Sequence, residues 1–339
     1  MNLPLPFRLL LWPFSLIYGV AARLQALLYA EGIYTAKHLN APVISVGNLT
    51  VGGTGKTPMV LWLAERLLAE GKQVAILSRG YRGSGGTSDE IKMLKSRLGD
   101  RVVFGVGPDR YLEGRRIESE NQVDVFVLDD GFQHLQLARN VDIVLVDSTK
   151  CLSKEWLLPA GSMREPVSAL RRASAVVLTR MEGVSPDSAA IQAIRATADL
   201  PTFYAKTRLL DYWRVTDSPH AQAAGNELPP QPVFAFCGIG NPGAFFSDVK
   251  KWGMAVVGQH AFRDHHSYTA RDVKTLEDHA QRVGAKALLT TEKDTQNLLD
   301  LHFSTFPLFC CRIALEVRDD KELCALLKEK LSPRAGFLA

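Results

Sequence analysis

The fold is decided by residues 43–58, VISVGNLTVGGTGKTP, in which a short apolar run leads into a glycine-rich stretch. The apolar run predicts a buried strand, and the periodicity from about Pro58 to Glu70 predicts a helix that ends at Gly71. Glycines between a strand and a helix let backbone N–H groups close around phosphate oxygens, and the helix N-terminus adds a favourable partial charge. The stretch therefore predicts a phosphate-binding loop of the P-loop kind.

Each position of this loop has a predicted role in holding a nucleotide. Lys56 would reach the β and γ phosphates, and the Thr57 hydroxyl would hold Mg²⁺. The loop departs from the strict pattern G-x4-G-K-[ST] because Thr50 occupies the first glycine position, and later glycines supply the flexibility instead. A glycine-rich turn that contains GKT by chance is the alternative. The predicted nucleotide-binding positions are Thr50, Gly52, Gly53, Thr54, Gly55, Lys56 and Thr57.

Further apolar runs predict a parallel sheet. Continuous β-branched runs are typical of strands that are buried on both faces, and helical or loop stretches separate them in this chain. We therefore expect an α/β fold, with a P-loop NTPase-like parallel sheet and helices on both faces. The runs lie at 74–77, 125–128, 143–146 and 175–178.

The chain is predicted to contain two α/β domains. A polar segment rich in proline and glycine at 217–232 predicts a linker, and the glycine-rich stretch 80–86 is a candidate mobile loop. Beyond the linker, shorter apolar runs predict a smaller α/β domain, and they lie at 233–236, 255–257 and 287–289. We expect an N-terminal apolar helix, a P-loop core domain and a smaller C-terminal domain, over residues 1–35, 36–216 and 217–339.

Composition argues against several classes of protein. The chain has 339 residues, which is enough for about two domains with sizeable cores. Its 40 basic and 36 acidic residues give a net charge of +4 without a run of five basic residues, so we expect no nucleic-acid partner. The five cysteines include no C-x-x-C pair, which argues against a disulfide framework or structural zinc site and favours a reducing compartment.

The N-terminal segment is unusually apolar. Residues 9–22, LLLWPFSLIYGVAA, contain no charge but fall short of the roughly 20 residues that a transmembrane helix needs. Three interpretations remain open: a signal peptide, a helix packed on the protein's own core, or a helix lying on a bilayer. Trp12, Phe14 and Tyr18 have side chains suited to a membrane interface.

A second candidate ligand site lies at residues 128–134, LDDGFQH. An apolar strand that ends in an acid places a hard oxygen ligand beside the phosphate loop, at the carboxyl end of the sheet. Asp129 and Asp130 are therefore candidate Mg²⁺ ligands, and Gly131 indicates that the strand ends there. The alternative is a turn with a solvated pair of aspartates.

Seven motifs occur along the chain in a distinctive order. They are GNLTVGGTGKTP (47–58), SRGY (78–81), DDGFQH (129–134), LPAGSMREP (158–166), AFCGIGNP (235–242), the DH of FRDHHSY (262–268) and TEKD (291–294). In this order they resemble the tetraacyldisaccharide 4'-kinase family of the lipid A pathway. The resemblance spans about residues 40–295, and the N-terminal apolar stretch resembles that family's membrane-docking helix.

The resemblance implies an enzyme that transfers the γ-phosphoryl group of MgATP to the 4'-hydroxyl of a tetraacyl-glucosamine disaccharide 1-phosphate, giving lipid IVA. It implies ATP and Mg²⁺ as cofactors, a glycolipid partner and no obligatory protein partner. It also implies a peripheral location at the cytoplasmic face of the inner membrane of a Gram-negative bacterium. The alternatives from other classes are a P-loop ATPase or GTPase switch and a non-catalytic nucleotide-binding module at the membrane.

The resemblance also implies a catalytic pair. Asp89 corresponds to the family's base, although the GDEP-like motif around it is eroded to SDEI (88–91), and Asp89 could instead favour a helix N-terminus. His265 corresponds to the histidine partner, with His266 as its substitute if the alignment slips by one. Metal binding by these neighbouring histidines is the alternative. Closure between the two domains is expected to bring His265 to Asp89.

Further charged residues are implied near the phosphates. Arg164 in SMREP would contact the phosphates, and Glu165 corresponds to a family acid near Mg²⁺; an ordinary exposed pair is the alternative. Arg79 in SRGY is a candidate phosphate or substrate contact, whereas Lys293 in TEKD has no assigned role. Cations are useful here because the transition state spreads charge over the phosphoryl oxygens. The candidate metal ligands are Thr57, Asp129, Asp130 and Glu165.

Overall fold

The protein is represented by a computed structural model that describes residues 4–80, 88–181, 189–215, 227–298 and 300–332. The chain divides into two compact units. The first unit comprises residues 1–79, 98–207 and 315–339, and the second comprises 80–97 and 208–314. The predicted mobile loop at 80–86 and the predicted linker at 217–232 lie largely outside the described residues.

Strands and helices alternate along most of the chain. The strands are β1 (Val43–Asn48), β2 (Val74–Ser78), β3 (Val102–Val106), β4 (Val125–Asp129), β5 (Val141–Asp147), β6 (Ala175–Thr179), β7 (Thr202–Arg214), β8 (Val233–Cys237), β9 (Val256–Ala261), β10 (Ala287–Thr291) and β11 (Leu308–Val317). The helices are α1 (Leu5–Ala30), α2 (Lys56–Ala69), α3 (Asp89–Leu98), α4 (Arg110–Glu120), α5 (Ala189–Thr197), α6 (Pro242–Lys251), α7 (Ala270–Arg282), α8 (Glu292–Thr295) and α9 (Asp320–Leu331).

In the first unit, the strands form a parallel sheet in the order β3-β2-β4-β1-β5-β6-β7. Strands β1, β2, β4, β5 and β6 are buried along their whole length, as their continuous apolar runs require. The carboxyl ends of these parallel strands lie at one edge of the sheet, where ligands of such folds bind. The predicted α/β class with a parallel sheet is confirmed.

In the second unit, the strand order is β11-β10-β8-β9, again parallel throughout. Two clusters of buried apolar side chains pack around these strands. Phe246 and Phe309 belong to one cluster, and Phe236 and Leu276 belong to the other. The predicted smaller α/β arrangement therefore has its own core.

The C-terminal helix α9 belongs to the first unit rather than the second. Arg66 on α2 pairs with Asp320 at 2.7 Å, and Glu70 at the end of α2 pairs with Lys328 at 3.0 Å. The two units therefore interleave along the chain, whereas the sequence predicted continuous domains over 36–216 and 217–339. The short segment 80–97, which carries Asp89, lies in the second unit.

Helix α1 has 26 residues and is, by length and composition alone, long and apolar enough to cross a membrane. Its buried residues, Ser15 and Gly19, face the segment 156–163: the Ser15 hydroxyl donates to Leu157 O and accepts from Ala160 N, both at 3.0 Å. Most of its large apolar side chains are exposed, which contradicts a helix packed into the protein's own core. They are Leu5, Phe7, Leu9, Leu10, Trp12, Phe14, Leu16, Ile17, Val20, Leu24 and Leu27.

Gly47, near the end of β1, allows a close approach that another residue would prevent. A Cβ atom at this position would lie 2.5 Å from Phe132 Cβ and 2.7 Å from Phe132 N. We expect Gly47→Ala to lower the free energy of unfolding by about 1–3 kcal/mol, because backbone atoms must shift to accept the methyl group. Urea unfolding measures this effect.

Gly243 on α6 provides the matched control for Gly47. No atom of the described residues lies within 4 Å of a Cβ added there, so Gly243→Ala should leave the urea midpoint unchanged or raise it slightly. Equal midpoints for the two alanine variants would contradict the close approach between β1 and the turn that contains Phe132.

Candidate active site

The loop between β1 and α2 has the backbone geometry of a phosphate cradle. Gly52 and Gly55 have φ angles of +104° and +94°, a region that favours glycine. Helix α2 begins after Gly55, and no side chain among the described residues caps it, so its first N–H groups are left for a ligand. Lys56 and Thr57 are the first two residues of this helix. These features fit the phosphate groups of a nucleotide.

Hydrogen bonds from neighbouring strands and loops hold this loop. Asn48 Nδ2 donates to Thr54 Oγ1 at 2.8 Å, and Thr179 Oγ1 at the end of β6 donates to Thr54 O at 3.1 Å. Val51 N donates to Ser162 O at 2.8 Å. Thr54 is fully buried, so its bonds to Asn48 and Thr179 lie away from water.

Thr50 and Gly53 differ from the other predicted loop positions. Thr50 is buried, and its backbone forms an antiparallel bridge with Met163, so this residue supports the loop. Gly53 is exposed at the loop surface. Thr50 therefore replaces the missing glycine with a residue that fixes the loop to the SMREP segment.

Asp130 brings two cations together beside the loop. Arg164 Nη1 lies 2.8 and 2.7 Å from the two oxygens of Asp130, and Lys56 Nζ lies 3.5 Å from Oδ1. Burial acts to raise the pKa of Asp130, but the charges of Lys56 and Arg164 outweigh it and hold the pKa below its ordinary value. Asp130, predicted as a metal ligand, is thus an ionised partner of these cations.

Glu165 is likewise committed to a cation. Arg172 donates to both its oxygens, at 2.9 and 3.1 Å, and its guanidinium lies 4.6 Å from the centre of the Phe132 ring. Gln133 Nε2 donates to Glu165 Oε1 at 3.0 Å. Sequence reasoning missed Arg172, because no motif marks it.

Asp129 and Thr57 offer the oxygen donors that fit Mg²⁺. Asp129 ends β4, is buried and accepts a hydrogen bond from Ser78 Oγ at 3.3 Å. Among the described residues, no three His, Cys, Asp or Glu side chains are grouped as metal ligands. A magnesium ion in a nucleotide site needs only one or two protein ligands, since phosphates and water supply the rest. Arg79 follows Ser78 directly after β2.

In the second unit, Asp89 and His265 form a pair. His265 Nδ1 lies 3.2 Å from Asp89 Oδ2, although 176 residues separate them in the sequence. Asp89 is the first residue of α3 and is buried, whereas the His265 side chain is about half exposed. The expectation that domain closure must bring these residues together is wrong, because α3 lies in the same unit as His265.

Hydrogen bonding shifts the pKa of both partners. The bond with Asp89 is the largest influence on His265 and raises its pKa, against the opposing effect of burial. Burial acts to raise the pKa of Asp89, but the bonds from His265 and Asn297 and the charge of Lys293 lower it overall. The pair therefore favours a carboxylate beside an imidazolium.

Lys293 lies between two acids that also face His265. Its Nζ is 2.9 Å from Glu90 Oε1 and 3.2 Å from Asp264 Oδ1. His265 Nε2 lies 3.6 Å from the same Glu90 oxygen. Burial acts to lower the pKa of Lys293, but the two acids outweigh it and raise it. Lys293 thus balances the negative charge around His265, a role that its motif did not indicate.

His266 has a different partner from His265. Its Nε2 lies 3.2 Å from Asp272 Oδ2, and its ring stacks on Phe262 with centres 4.4 Å apart. The structure therefore pairs Asp89 with His265 and not with His266. The alternative of metal binding by these histidines finds no support in the described residues.

The glycine-rich loop between β1 and α2, beside the acid-terminated β4 in a parallel sheet, defines a P-loop nucleotide-binding fold. The family description "Tetraacyldisaccharide-1-P 4'-kinase" (LpxK) matches residues 7–332 of the chain. The chain belongs to this family and is a kinase of the lipid A pathway. The interpretations as a regulatory switch or a non-catalytic module are therefore not supported.

Individual relatives match over nearly their whole length. The tetraacyldisaccharide 4'-kinase of Geobacter sulfurreducens is 39% identical over 93% of this chain and 91% of its own. That of Desulfotalea psychrophila is 36% identical over 91% of this chain and 93% of its own. A crystal structure of LpxK from Aquifex aeolicus in complex with ATP has a TM-score of 0.72 and 31% identity, over 96% of this chain and 99% of that one.

Proposed function

We propose that this kinase transfers the γ-phosphoryl group of MgATP to the 4'-hydroxyl of a tetraacyl-glucosamine disaccharide 1-phosphate, giving lipid IVA. The observation that carries the mechanism is the contact of 3.2 Å between His265 Nδ1 and Asp89 Oδ2. A sugar hydroxyl is a weak nucleophile, and a positioned carboxylate that accepts its proton assists the attack. The family relatives are named for this activity.

The first unit would hold the nucleotide. The amide groups at the start of α2 and the Lys56 ammonium would receive the phosphates, and Arg164 would face the developing charge. ATP is proposed here because the similar Aquifex structure contains it. Thr57 and Asp129 would hold Mg²⁺, which when bound offsets charge on the phosphate oxygens.

The second unit would supply the base. As the bond from the hydroxyl oxygen to the γ-phosphorus forms and the bond to ADP breaks, the Asp89 carboxylate accepts the hydroxyl proton. His265 orients that carboxylate. Its hydrogen bond also lowers the pKa of Asp89, and this keeps the carboxylate ionised. We therefore propose that nucleotide binding and proton removal belong to different units, which revises the prediction that Asp89 lies in the P-loop domain.

We further propose that α1 docks on the cytoplasmic face of the inner membrane, where the glycolipid acceptor resides. Exposed apolar side chains along the helix support this, whereas Ser15 and Gly19 face the protein. Each large side chain buried in a bilayer would contribute about 1.5–3 kcal/mol. A handful of them suffices for reversible docking without a strong contribution from charge.

Replacing both Trp12 and Phe14 with serine should lower binding to phospholipid vesicles by about 10²-fold, because two exposed apolar side chains are lost. Co-sedimentation with vesicles of phosphatidylethanolamine and phosphatidylglycerol measures the effect. Leu112→Ser on α4 is the control, since Leu112 is also exposed but lies outside α1. Equal loss in both variants would contradict docking through α1.

The proposed reaction is tested with the purified chain, γ-labelled MgATP and two acceptors. One acceptor is the acylated disaccharide 1-phosphate, and the other is its 4'-deoxy analogue. We expect label in the lipid with the first acceptor and none with the second. ATP hydrolysis at the same rate with either acceptor, without labelled lipid, would overturn the proposal.

A further inference from the structure

Asp294, at the start of α8, is a buried carboxylate that the proposed mechanism does not use. Only 3% of the residue is exposed. Its Oδ1 accepts hydrogen bonds from Gly238 N and from the Tyr268 hydroxyl, both at 2.9 Å. Its Oδ2 accepts a bond from Thr291 Oγ1 at 2.6 Å. A carboxylate this deeply buried is stable only when its oxygens are satisfied in this way.

The three donors come from three separate segments of the second unit. Gly238 follows β8, Tyr268 ends the loop that precedes α7, and Thr291 ends β10. Asp294 therefore joins the ends of two neighbouring strands to the loop 262–268, which carries His265. The aspartate of the TEKD motif thus has a structural reason to be an acid.

Gly238 links Asp294 to His265 through its peptide groups. Its carbonyl accepts a hydrogen bond from His265 N at 3.1 Å, while its own N–H is held by Asp294. A Cβ atom on Gly238 would lie 3.1 Å from Asp294 Oδ1 and 3.2 Å from His266 Cβ. The close approach explains why a glycine stands between the carboxylate and the histidine loop.

His265 has a backbone conformation that needs such support. Its φ angle is +59°, in the left-handed region that residues with a side chain rarely adopt. Conformations of this kind persist when the surrounding structure fixes them, and they are common at functional sites. In this unit the contacts that fix the loop include the bond from His265 N to Gly238 O and, at the end of the loop, the bond from the Tyr268 hydroxyl to Asp294.

We propose that Asp294 is a positioning residue, which holds His265 against Asp89. It does so through the peptide of Gly238 on one side of the loop and through the Tyr268 hydroxyl on the other. Loss of either contact lets the loop relax towards ordinary backbone angles, and the distance from His265 Nδ1 to Asp89 Oδ2 then lengthens. This inference rests on the proposed role of the Asp89–His265 pair.

The test uses Tyr268→Phe, which removes one hydrogen bond to Asp294 without changing any charge. The control is Tyr212→Phe, which removes a buried phenol oxygen in the same unit that has no hydrogen-bond partner among the described residues. The first readout is an NMR titration of His265, whose signal is assigned by its loss in His265→Gln. The second is kcat and KM for phosphoryl transfer.

We expect the pKa of His265 to fall towards its ordinary value in Tyr268→Phe and to stay raised in Tyr212→Phe. We expect kcat to fall roughly ten- to a hundred-fold in Tyr268→Phe with KM for ATP unchanged, because small displacements of catalytic groups are costly. Asp294→Asn should show the same pattern. If Tyr268→Phe matched Tyr212→Phe in both readouts, the inference would be overturned.

A double variant separates positioning from general destabilisation. In the His265→Gln background, Tyr268→Phe should cause no further loss of kcat, since the residue it positions is gone. A further ten-fold loss there would show that Tyr268 acts elsewhere and would overturn the inference. The NMR titration does not depend on transfer, so failure of the proposed function, seen as full activity of His265→Gln, is distinguishable from failure of the positioning role.

Discussion

Replacing Lys56 with alanine is expected to lower the rate of phosphoryl transfer by about 10²–10³-fold, the usual cost of removing one preorganised charge from a transition state. Lys56 starts α2 beside the glycine cradle, and its side chain is largely buried. Its ammonium lies 3.5 Å from Asp130, whose other partner is Arg164.

The expected loss is measured as labelled lipid formed per enzyme, together with equilibrium binding of an ATP analogue. Lys72→Ala is the matched control, since Lys72 is exposed in the same unit and lies after α2. Thermal unfolding of both variants confirms that the fold is retained. If Lys56→Ala formed labelled lipid at the wild-type rate, that result would contradict the assignment of the loop as the nucleotide site.

The parts of the fold that sequence predicted are those that local pattern determines. β1, β2, β4, β5 and β6 are continuous apolar runs, and each is buried along its whole length. The phosphate loop is local as well, since its strand, glycines, lysine and the start of the following helix lie within the 16 residues 43–58. The strand before the motif and the helix after it can therefore be predicted together with the motif itself.

The sequence did not predict β3 or β7, whose residues differ in how deeply they are buried. β7 alternates buried and exposed positions and includes Lys206, Arg208 and Asp211, so it lacks a continuous apolar run. β3 is only partly buried, with Gly105 near its end. The return of α9 to the first unit depends on contacts such as Arg66 with Asp320, which are 254 residues apart. No local periodicity reports such contacts.

In the candidate site, too, local sequence predicted some residues, whereas others depend on contacts between distant parts of the chain. Asp129 and Lys56 could be predicted from the residues alone, because strand ends and glycine loops bring them to one edge of the sheet. The pairing of Asp89 with His265 came from the family resemblance, since no spacing rule links residues 176 positions apart. Glu90, next to Asp89, and its contact with Lys293 depend on tertiary structure in the same way.

Replacing Asp89 with asparagine is expected to lower kcat by about 10²–10⁴-fold, the usual contribution of a general base. The amide keeps the shape of the side chain but cannot accept the hydroxyl proton. ATP binding should be unchanged, because Lys56 and the phosphate loop lie in the other unit. Asp100→Asn, an exposed acid just beyond α3, is the matched control.

The same variant changes the titration of His265. The hydrogen bond with Asp89 is the largest cause of the raised pKa of His265, so Asp89→Asn should lower that pKa towards 6.5. An NMR titration measures the change. A His265 pKa that stays raised in the variant would show that Glu90 and Asp264 support the imidazolium, and that Asp89 does not.

The pair also gives stability a defined dependence on pH. The contribution of Asp89, whose pKa is lowered, is present above its ordinary value of 3.8 and is lost as pH falls through its lower folded value. The contribution of His265, whose pKa is raised, is present below 6.5 and is lost as pH rises through its higher folded value. The unfolding midpoints of wild type and Asp89→Asn should therefore differ most between about pH 4 and 6.5. The difference should narrow at higher pH, where the imidazole is neutral, to the part that Asn297 and Lys293 contribute. A difference that grew above pH 7 would contradict the carboxylate–imidazolium pair, because a neutral imidazole gains far less from an adjacent carboxylate.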